Sequence, residues 1–321
     1  MHYHSDMQPP KELQLVSTVC ILLSTFNGMR FLPEQISSLK SQIGVNVEII
    51  AQDDGSTDGT LEYLRELRLQ NKIAELRTSH RLGSTSVFVE LIKNSPKADF
   101  YCFCDQDDIW SPDKILTLID AVPKDSKSEP ILVFCDRTKS NSNGLRKRVK
   151  TAAKAQIGLH NALVQSVIPG NCMLLNSSSL QELKSFDWSR IRHYDAFIYL
   201  ILSVLGKIIY VNKSLVWYRI HQHNQIGDRK GLLPKISDIQ RALNEYSTNA
   251  REFNSQIQFE LDPGAEATIN YFLCAFDKEA KWEKFVSLSK SKVVRQSRFE
   301  TFLLRILPLL KSSFFDAKVK V

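Results

Sequence analysis

Phe100-Tyr101-Cys102-Phe103-Cys104-Asp105-Gln106-Asp107-Asp108-Ile109-Trp110 runs from an unbroken apolar stretch into an acidic tetrad and out again. The apolar part reads as a buried strand. Extended side chains alternate with period two, so Asp105 and Asp107 are expected on one side of the strand's end. Two carboxylates so placed suit a hard divalent cation, which completes its shell with water and phosphate oxygens; the stretch is thus a candidate diphosphate site. The same residues fit an acidic helix start with Ser111 as cap and Pro112 at the first position. Taken alone, the tetrad fits both equally.

Working outward from the tetrad, the same unit repeats. Val16-Ser17-Thr18-Val19-Cys20-Ile21-Leu22-Leu23 reads as a first buried strand ending at Ser24-Thr25-Phe26-Asn27-Gly28, followed by a helix over 31–41. Val45-Asn46-Val47-Glu48-Ile49-Ile50-Ala51 is a second strand, closed by Gln52-Asp53-Asp54-Gly55-Ser56-Thr57-Asp58-Gly59 and a helix over 60–69 in which Asp58 is the expected N-cap. A weaker strand near 74–77 and a helix over 86–94 lead back to the tetrad. Alternation of this kind predicts a mostly parallel α/β sheet with helices on both faces, and ligands outside the carboxyl ends of its strands. Three polar clusters, Ser24 to Asn27, Asp53-Asp54 and Asp105 to Asp108, should therefore meet in one crevice. No Gly-x-Gly-x-x-Gly follows the first strand and no Gly-x-x-x-x-Gly-Lys-Ser/Thr occurs, so a diphosphate here needs a cation instead of a glycine cradle.

Composition bounds the class. The chain of 321 residues is 43% hydrophobic and 24% charged, the balance of a soluble globular protein. No long uncharged apolar run predicts a membrane span, and the first residues lack a signal-peptide core, so a cytoplasmic location is expected. The six cysteines have no CxxC pair and read as reduced core residues. The net charge of +7 points to an anionic partner, and the excess sits at the C-terminal end, where residues 281–321 hold ten Lys or Arg against three acids. Nucleic acid is not the expected partner, because an acidic crevice repels a polyanion. The Asn- and Ser-rich basic stretch over 139–150 has no apolar period and reads as a solvated loop.

Farther along, Val167-Ile168-Pro169-Gly170-Asn171-Cys172-Met173-Leu174-Leu175 reads as a turn and strand. His193-Tyr194-Asp195 opens an apolar helix over 196–205, where Asp195 alone would be read as a cap. A strand over 208–211 precedes Trp217-Tyr218-Arg219-Ile220-His221-Gln222-His223-Asn224.

With these pieces in order, the chain resembles the inverting family 2 glycosyltransferases, in particular bacterial rhamnosyltransferase-like members that build surface polysaccharides. The resemblance rests on Ser24-Thr25-Phe26-Asn27, Gln52 to Thr60, Cys104-Asp105-Gln106-Asp107-Asp108-Ile109-Trp110, Pro169 to Met173, Tyr194-Asp195, and Tyr218-Arg219-Ile220-His221 with Asn224. These span residues 16 to about 228 in the family's order. The resemblance implies a GT-A nucleotide-diphospho-sugar transferase fold over 15–228, after a disordered tail over 1–14 and before a helical C-terminal region over 229–321. It implies Mg²⁺ or Mn²⁺ held by Asp107 with Asp105, and His221 as a further ligand. Ser24, Phe26, Asp54, Asp105, Gln106 and Arg219 are implied donor-binding residues, with Phe26 on the nucleobase and Asp54 at the base edge. Asp195 matches the general base. The implied reaction moves one sugar, from dTDP-L-rhamnose or a UDP-hexose, to the hydroxyl of a saccharide acceptor, undecaprenyl-linked in this class of pathway, for O-antigen or capsule synthesis. Tyr194 and Ala196 beside Asp195, and His193 one place early, depart from the family's pattern on the acceptor side.

Two rivals remain. A phosphoryl-transfer enzyme would use strand-end carboxylates, but no Asp-x-Asp follows the first strand. A non-catalytic nucleotide-sugar-binding protein would use the same crevice. Beyond residue 231 the resemblance is lost. Helices are expected over 236–253 and 265–285, and a basic amphipathic one over 290–311, suited equally to the inner face of the cell membrane, to packing on the catalytic domain or to a homodimer contact.

Overall fold

The computed structural model describes residues 16–126, 128–140, 146–149, 156–220 and 232–310. Their elements, in chain order, begin with β1 (Thr18–Thr25), α1 (Leu32–Lys40), β2 (Asn46–Asp53), α2 (Thr60–Leu69), β3 (Glu75–Thr78) and α3 (Ser84–Lys93). Then come β4 (Phe100–Asp105), β5 (Ile109–Trp110), α4 (Lys114–Ile119), β6 (Ile131–Ser140), β7 (Arg146–Val149) and α5 (Leu159–Ala162). β8 (Met173–Asn176), α6 (Ser177–Ser185), α7 (Tyr194–Leu205) and β9 (Lys207–Arg219) complete the sheet. Four helices follow: α8 (Leu232–Gln256), α9 (Pro263–Asp277), α10 (Lys281–Lys290) and α11 (Arg298–Leu310).

The strands form one sheet in the order β3-β2-β1-β4-β8-β6-β9-β5, with β7 beside β6. β1 pairs in parallel with β2 and β4, and β2 with β3. Beyond β4 the sheet becomes mixed, because β8 runs antiparallel to both β4 and β6. The expected α/β class holds, and its parallel part is β3-β2-β1-β4.

Period two sorts the strands into two cores. In β1, Cys20 and Leu22 face one side with Tyr101 and Phe103 of β4, while Val19, Ile21 and Leu23 face the other with Cys102 and Cys104. Both faces are covered, so the strands read as continuous apolar runs. Helices α1, α2 and α4 cover the second face through Leu32, Ile36, Leu39, Leu64, Leu67, Ile115 and Leu118. The first face is covered by α3, α6 and α7, and also by all four C-terminal helices, whose Leu243, Phe253, Phe272, Leu288 and Leu304 join the same core.

Several local expectations are corrected. Of the stretch over 139–150 read as a solvated loop, residues 139–140 and 146–149 are strand, β6 and β7 pairing in register from Arg137↔Val149 to Ser140↔Arg146. Their charge is partly absorbed internally, with Arg148 ion-paired to the buried Asp136 at 2.8 Å. The N-cap position of the helix after the tetrad is Asp113, which makes no side-chain cap bond, and not Ser111, whose hydroxyl bonds the Asp113 carboxylate. Asp58 stands one place before Gly59, the N-cap of α2. The strand expected over 208–211 extends to Arg219 as one element. The helix expected over 265–285 is two helices broken at 278–280. Five cysteines are buried and free, but Cys274 is exposed on α9. No described helix is long and apolar enough to cross a membrane. The tail over 1–14 lies outside the described residues.

Candidate active site

The carboxyl ends of β1, β2 and β4 open on a cleft of about 1350 Å³. Ser24, Phe26, Asp54, Asp105, Gln106, Asp107 and Asp195 all line it, so the three sequence clusters do converge and the start of α7 joins them.

Register explains the first wall. Ser24 at the end of β1 is the cross-strand partner of Asp105 at the end of β4. After Asp105 the chain turns at Gln106 and Asp107 before β5, so the turn, and not a continued extended strand, brings Asp107 to the cleft. Gln106 clamps the main chain of Phe26, its Oε1 accepting from Phe26 N at 2.7 Å and its Nε2 donating to Phe26 O at 2.8 Å. Held this way, the Phe26 ring remains 43% exposed, an aromatic face turned to the cleft when burial would otherwise be favoured. Gly28 makes room for the clamp, since a Cβ there would collide with the Gln106 amide.

The loop after β2 is tied by its acids. Asp53, fully buried, accepts from the Thr25 and Ser56 hydroxyls and from the amides of Gly55 and Ser56. Asp58 accepts from Met29 N and Thr60 N and stitches the two loops together. Asp54 reaches across to the loop after β3, accepting from Ser79 Oγ at 2.9 Å and from the amides of Leu82 and Gly83 at 2.8 Å each. Three acceptor positions of its carboxylate are thus taken by the protein.

Asp108 turns the other way. It is fully buried and bonded to the side-chain amide of Asn171, and the buried Lys114 donates to the Asn171 carbonyl at 2.7 Å. Asn171 belongs to the Pro169-Gly170-Asn171 turn, whose Gly170 allows the Tyr194 hydroxyl to approach; a Cβ there would overlap it. Tyr194 in turn stacks on Phe88 with centroids 4.2 Å apart. This packing sets the first turn of α7, and with it Asp195, against the cleft.

Electrostatics are concentrated at the carboxylates. Burial, then the charges of Asp107 and Asp195, push the Asp105 carboxyl up to about 7. Burial likewise raises Asp195, opposed by His193, by its bond from Ala196 N and by Arg137. Carboxylates crowded against one another with too little positive charge form a hard oxygen donor set, so the chemistry of Asp105 and Asp107 fits a divalent cation. Among the described residues no cluster of three ligating side chains completes such a site. His221, the expected further ligand, lies outside the described residues. Arg219 does not line the cleft: its guanidinium meets Glu34 of α1 at 2.8 Å and lies 5.3 Å from the Phe31 ring centroid.

Several cleft residues were not singled out from the sequence as site residues, among them Arg137, His193, Glu245 and Tyr246. Arg137 follows a bulge in β6 and lies 4.3 Å over the Tyr218 ring. His193, Glu245 and Tyr246 also line the cleft. Nothing local marks the last two, which read as ordinary positions of a C-terminal helix.

Comparison with known proteins agrees with this arrangement. The family model described as Glycosyl transferase family 2 matches residues 20–183, from β1 into α6. A dTDP-rhamnosyl transferase, RfbG, of Shigella flexneri is 30% identical over 223 residues, covering 64% of this chain and 73% of that protein. An uncharacterized glycosyltransferase of Haemophilus influenzae is 24% identical over 315 residues, 91% of this chain and 93% of its own. Among solved structures, S. aureus TarS 1-349 in complex with UDP-GlcNAc superposes with a TM-score of 0.58 at 14% identity, covering 81% of this chain and 72% of that one. These likenesses give a GT-A-like fold, a curled mixed sheet flanked by helices. With the family model spanning half of the sequence, including the strands that build the cleft, the chain belongs to the family 2 glycosyltransferases.

Proposed function

We propose that this protein is an inverting, metal-dependent transferase that moves one sugar from a nucleotide-diphospho-sugar to a saccharide hydroxyl in surface polysaccharide synthesis. dTDP-L-rhamnose is the donor favoured by the similarity to RfbG, and a UDP-hexose is the other candidate. The observation that carries the reading is the placement in one cleft of the Asp105 and Asp107 carboxylates, from β4 and its turn, and the Asp195 carboxylate, from the start of α7.

The exposed Phe26 ring offers a stacking surface for the nucleobase, and Gln106 holds it in place through the main chain. Asp54 orders the loops at the base side. Asp105 and Asp107 would hold Mg²⁺ or Mn²⁺, which when bound neutralises the donor diphosphate and the charge left on the departing nucleotide. Asp195 takes the proton of the acceptor hydroxyl at its carboxylate oxygen. Burial raises its proton affinity, which suits a base, while His193, the bond from Ala196 N and Arg137 act against that rise. Arg137 sits between the two sets of acids electrostatically, lowering both Asp105 and Asp195.

The acceptor we favour is lipid-linked, with the protein peripheral on the inner membrane face. What supports this is α11, which buries Leu303, Leu304 and Leu307 on the core and leaves Phe299 52% and Phe302 58% exposed one turn apart. An apolar face beside Arg298 and Arg305 suits an anionic lipid surface.

Asp195→Asn tests the catalytic reading. A base contributes roughly 10²–10⁴-fold, so turnover should fall by that factor while Mn²⁺-dependent thermal stabilisation by dTDP-L-rhamnose persists. Near-native turnover of the variant would remove Asp195 from the role.

A further inference from the structure

Helix α8 turns one face to the core and another to the cleft. Ile239, Leu243 and Phe253 are buried, while Ala242, Glu245 and Tyr246, spaced i, i+3 and i+4, line the cleft. Glu245 meets His193 Nε2 at 3.3 Å. His193 is the N-cap residue of α7, and Asp195 is the second residue of that helix. Two residues of chain span at most about 7 Å, so covalent geometry keeps the Glu245–His193 pair beside Asp195. Tyr246 gives a second tie, because its hydroxyl accepts from Ser166 N. Ser166 leads into the turn whose Gly170 lies against the Tyr194 hydroxyl, directly before Asp195. The cleft of about 1350 Å³ exceeds the ~300–1,000 Å³ usual for one small ligand, which leaves room beside a donor. We infer that Glu245 and Tyr246 of α8, with His193, form an acceptor-specificity subsite that takes a neutral sugar bearing adjacent hydroxyl groups. The inference rests on the reading of Asp195 as the base, since the hydroxyl that reacts must lie there.

The groups on this wall have bonding capacity left over. Glu245 Oε2 takes the contact with His193, whereas Oε1 has no hydrogen bond among the described residues. The Tyr246 hydroxyl accepts from Ser166 N, and its own proton has no acceptor among the described residues. The wall therefore offers an anionic acceptor and a hydroxyl donor. Sugar hydroxyls, each of which both donates and accepts, complement that pair, and bonds from them to a carboxylate are charge-assisted. The ion pair with His193 holds the Glu245 carboxylate in place for them. An acidic sugar would instead bring its charge against Glu245 and Asp195, so the same wall selects against it. Glu252, one helical position set farther along α8, does not compete, because it pairs with Arg190 at 3.2 Å. The His193 side chain is 55% exposed and that of Glu245 23%, so a ligand can reach both. A pair so open to solvent adds little to stability, and Ala is favourable within a helix, so Glu245→Ala should fold.

The test uses the full-length protein with Mg²⁺ and, in separate runs, saturating dTDP and UDP. Binding of methyl α-L-rhamnoside, methyl N-acetyl-β-D-glucosaminide and methyl β-D-glucuronide is read by saturation-transfer NMR. At least one of the two neutral glycosides should bind, and the glucuronide should not. Glu245→Ala should weaken the neutral glycoside about 10-fold, the worth of one charge-assisted hydrogen bond, while the nucleotide affinity by calorimetry changes less than about 2-fold. The loss should vanish against one monodeoxy form of the same glycoside, the form that lacks the contacted hydroxyl; a merely structural defect would weaken every form alike. Unchanged glycoside affinity in Glu245→Ala overturns the inference, as does a loss equal for every monodeoxy form. Binding of the glucuronide as tight as that of the neutral glycosides overturns the stated class, and a wild type that binds no neutral glycoside overturns the subsite. Asp195→Asn separates the two readings. Near-native turnover of that variant removes the base, and with it the ground for calling the subsite an acceptor site. A silent Asp195→Asn together with glycoside binding that ignores Glu245 removes the subsite alone.

Discussion

Asp105→Asn should make the metal-free protein more stable. The wild-type carboxyl sits at about 7 instead of its ordinary 3.8, and at about 1.36 kcal/mol per pH unit the full mismatch is roughly 4 kcal/mol. Asp105 is only partly buried and borders the open cleft, so screening by water discounts this to about 2 kcal/mol. The sign follows from linkage. A group whose folded value is raised costs nothing below its unfolded value, and its penalty grows as pH rises to the folded value. The advantage of the variant should therefore be absent near pH 4, grow through pH 5 to 7 and stay constant above. Thermal melts in EDTA across that range should show a gain of a few degrees at about pH 8, given that 1 kcal/mol moves Tm by roughly 2–4 °C in large domains. Mn²⁺ should reverse the order, because a cation at about 100 times its Kd stabilises the wild type by ~2.7 kcal/mol and the variant much less. An Asn variant that is less stable in EDTA at about pH 8, or whose gain does not vary with pH, would refute the reasoning.

Gln106→Ala removes both bonds to the Phe26 main chain, at a net cost of about 1–3 kcal/mol, and should raise the donor KM by roughly 5- to 100-fold with the fold intact by circular dichroism. Gly170→Ala places a methyl group where the Tyr194 hydroxyl sits, so the first turn of α7 must shift; turnover should drop by about 10²-fold, a size set by misplacement of a reacting group of order 1 Å, while nucleotide binding by calorimetry is retained. Phe299→Ser with Phe302→Ser leaves Leu303, Leu304 and Leu307 in the core and should abolish co-flotation with phosphatidylglycerol vesicles without lowering Tm; equal flotation would exclude α11 as the lipid contact.

The sequence made the parallel half of the fold legible because β1, β2 and β4 are buried on both faces, and a run such as Val19 to Leu23 has no exposed position to blur it. The polar clusters at their ends were legible for the same reason: a carboxylate directly after such a run has nowhere to go except the strand's open end. What stayed hidden depends on contacts between distant parts of the chain. Asp54 read as a group for the base edge, yet most of its acceptor capacity goes to the loop at Leu82 and Gly83. Arg219 carried a motif, but its partner Glu34 lies on α1, a pairing no local pattern encodes. Residues 139–150 looked solvated because Arg146, Lys147, Arg148 and Lys150 share no apolar period; only the fold brings Arg148 onto Asp136. Glu245 illustrates the limit most clearly, since its meaning comes entirely from His193 on another helix.

The boundary near residue 229, natural from the sequence, does not separate two cores. Ile239, Leu243, Phe253, Phe272, Leu288, Leu304 and Leu307 are each no more than 2% exposed and join the cluster that contains Phe88, Phe103 and Phe197. Burying an aliphatic or aromatic side chain of this size contributes roughly 1.5–3 kcal/mol, so these seven alone stand for on the order of 10–20 kcal/mol. That equals or exceeds the ~5–15 kcal/mol by which a whole domain is usually stable. A chain ending at residue 228 should therefore lose the cooperative melt of the full-length protein and expose surface that binds a hydrophobic dye, besides losing the Glu245 and Tyr246 wall of the cleft. A truncated protein that melts cooperatively within a few degrees of the intact one would show that α8 to α11 are an appendage; a failure to fold would make them part of the catalytic unit.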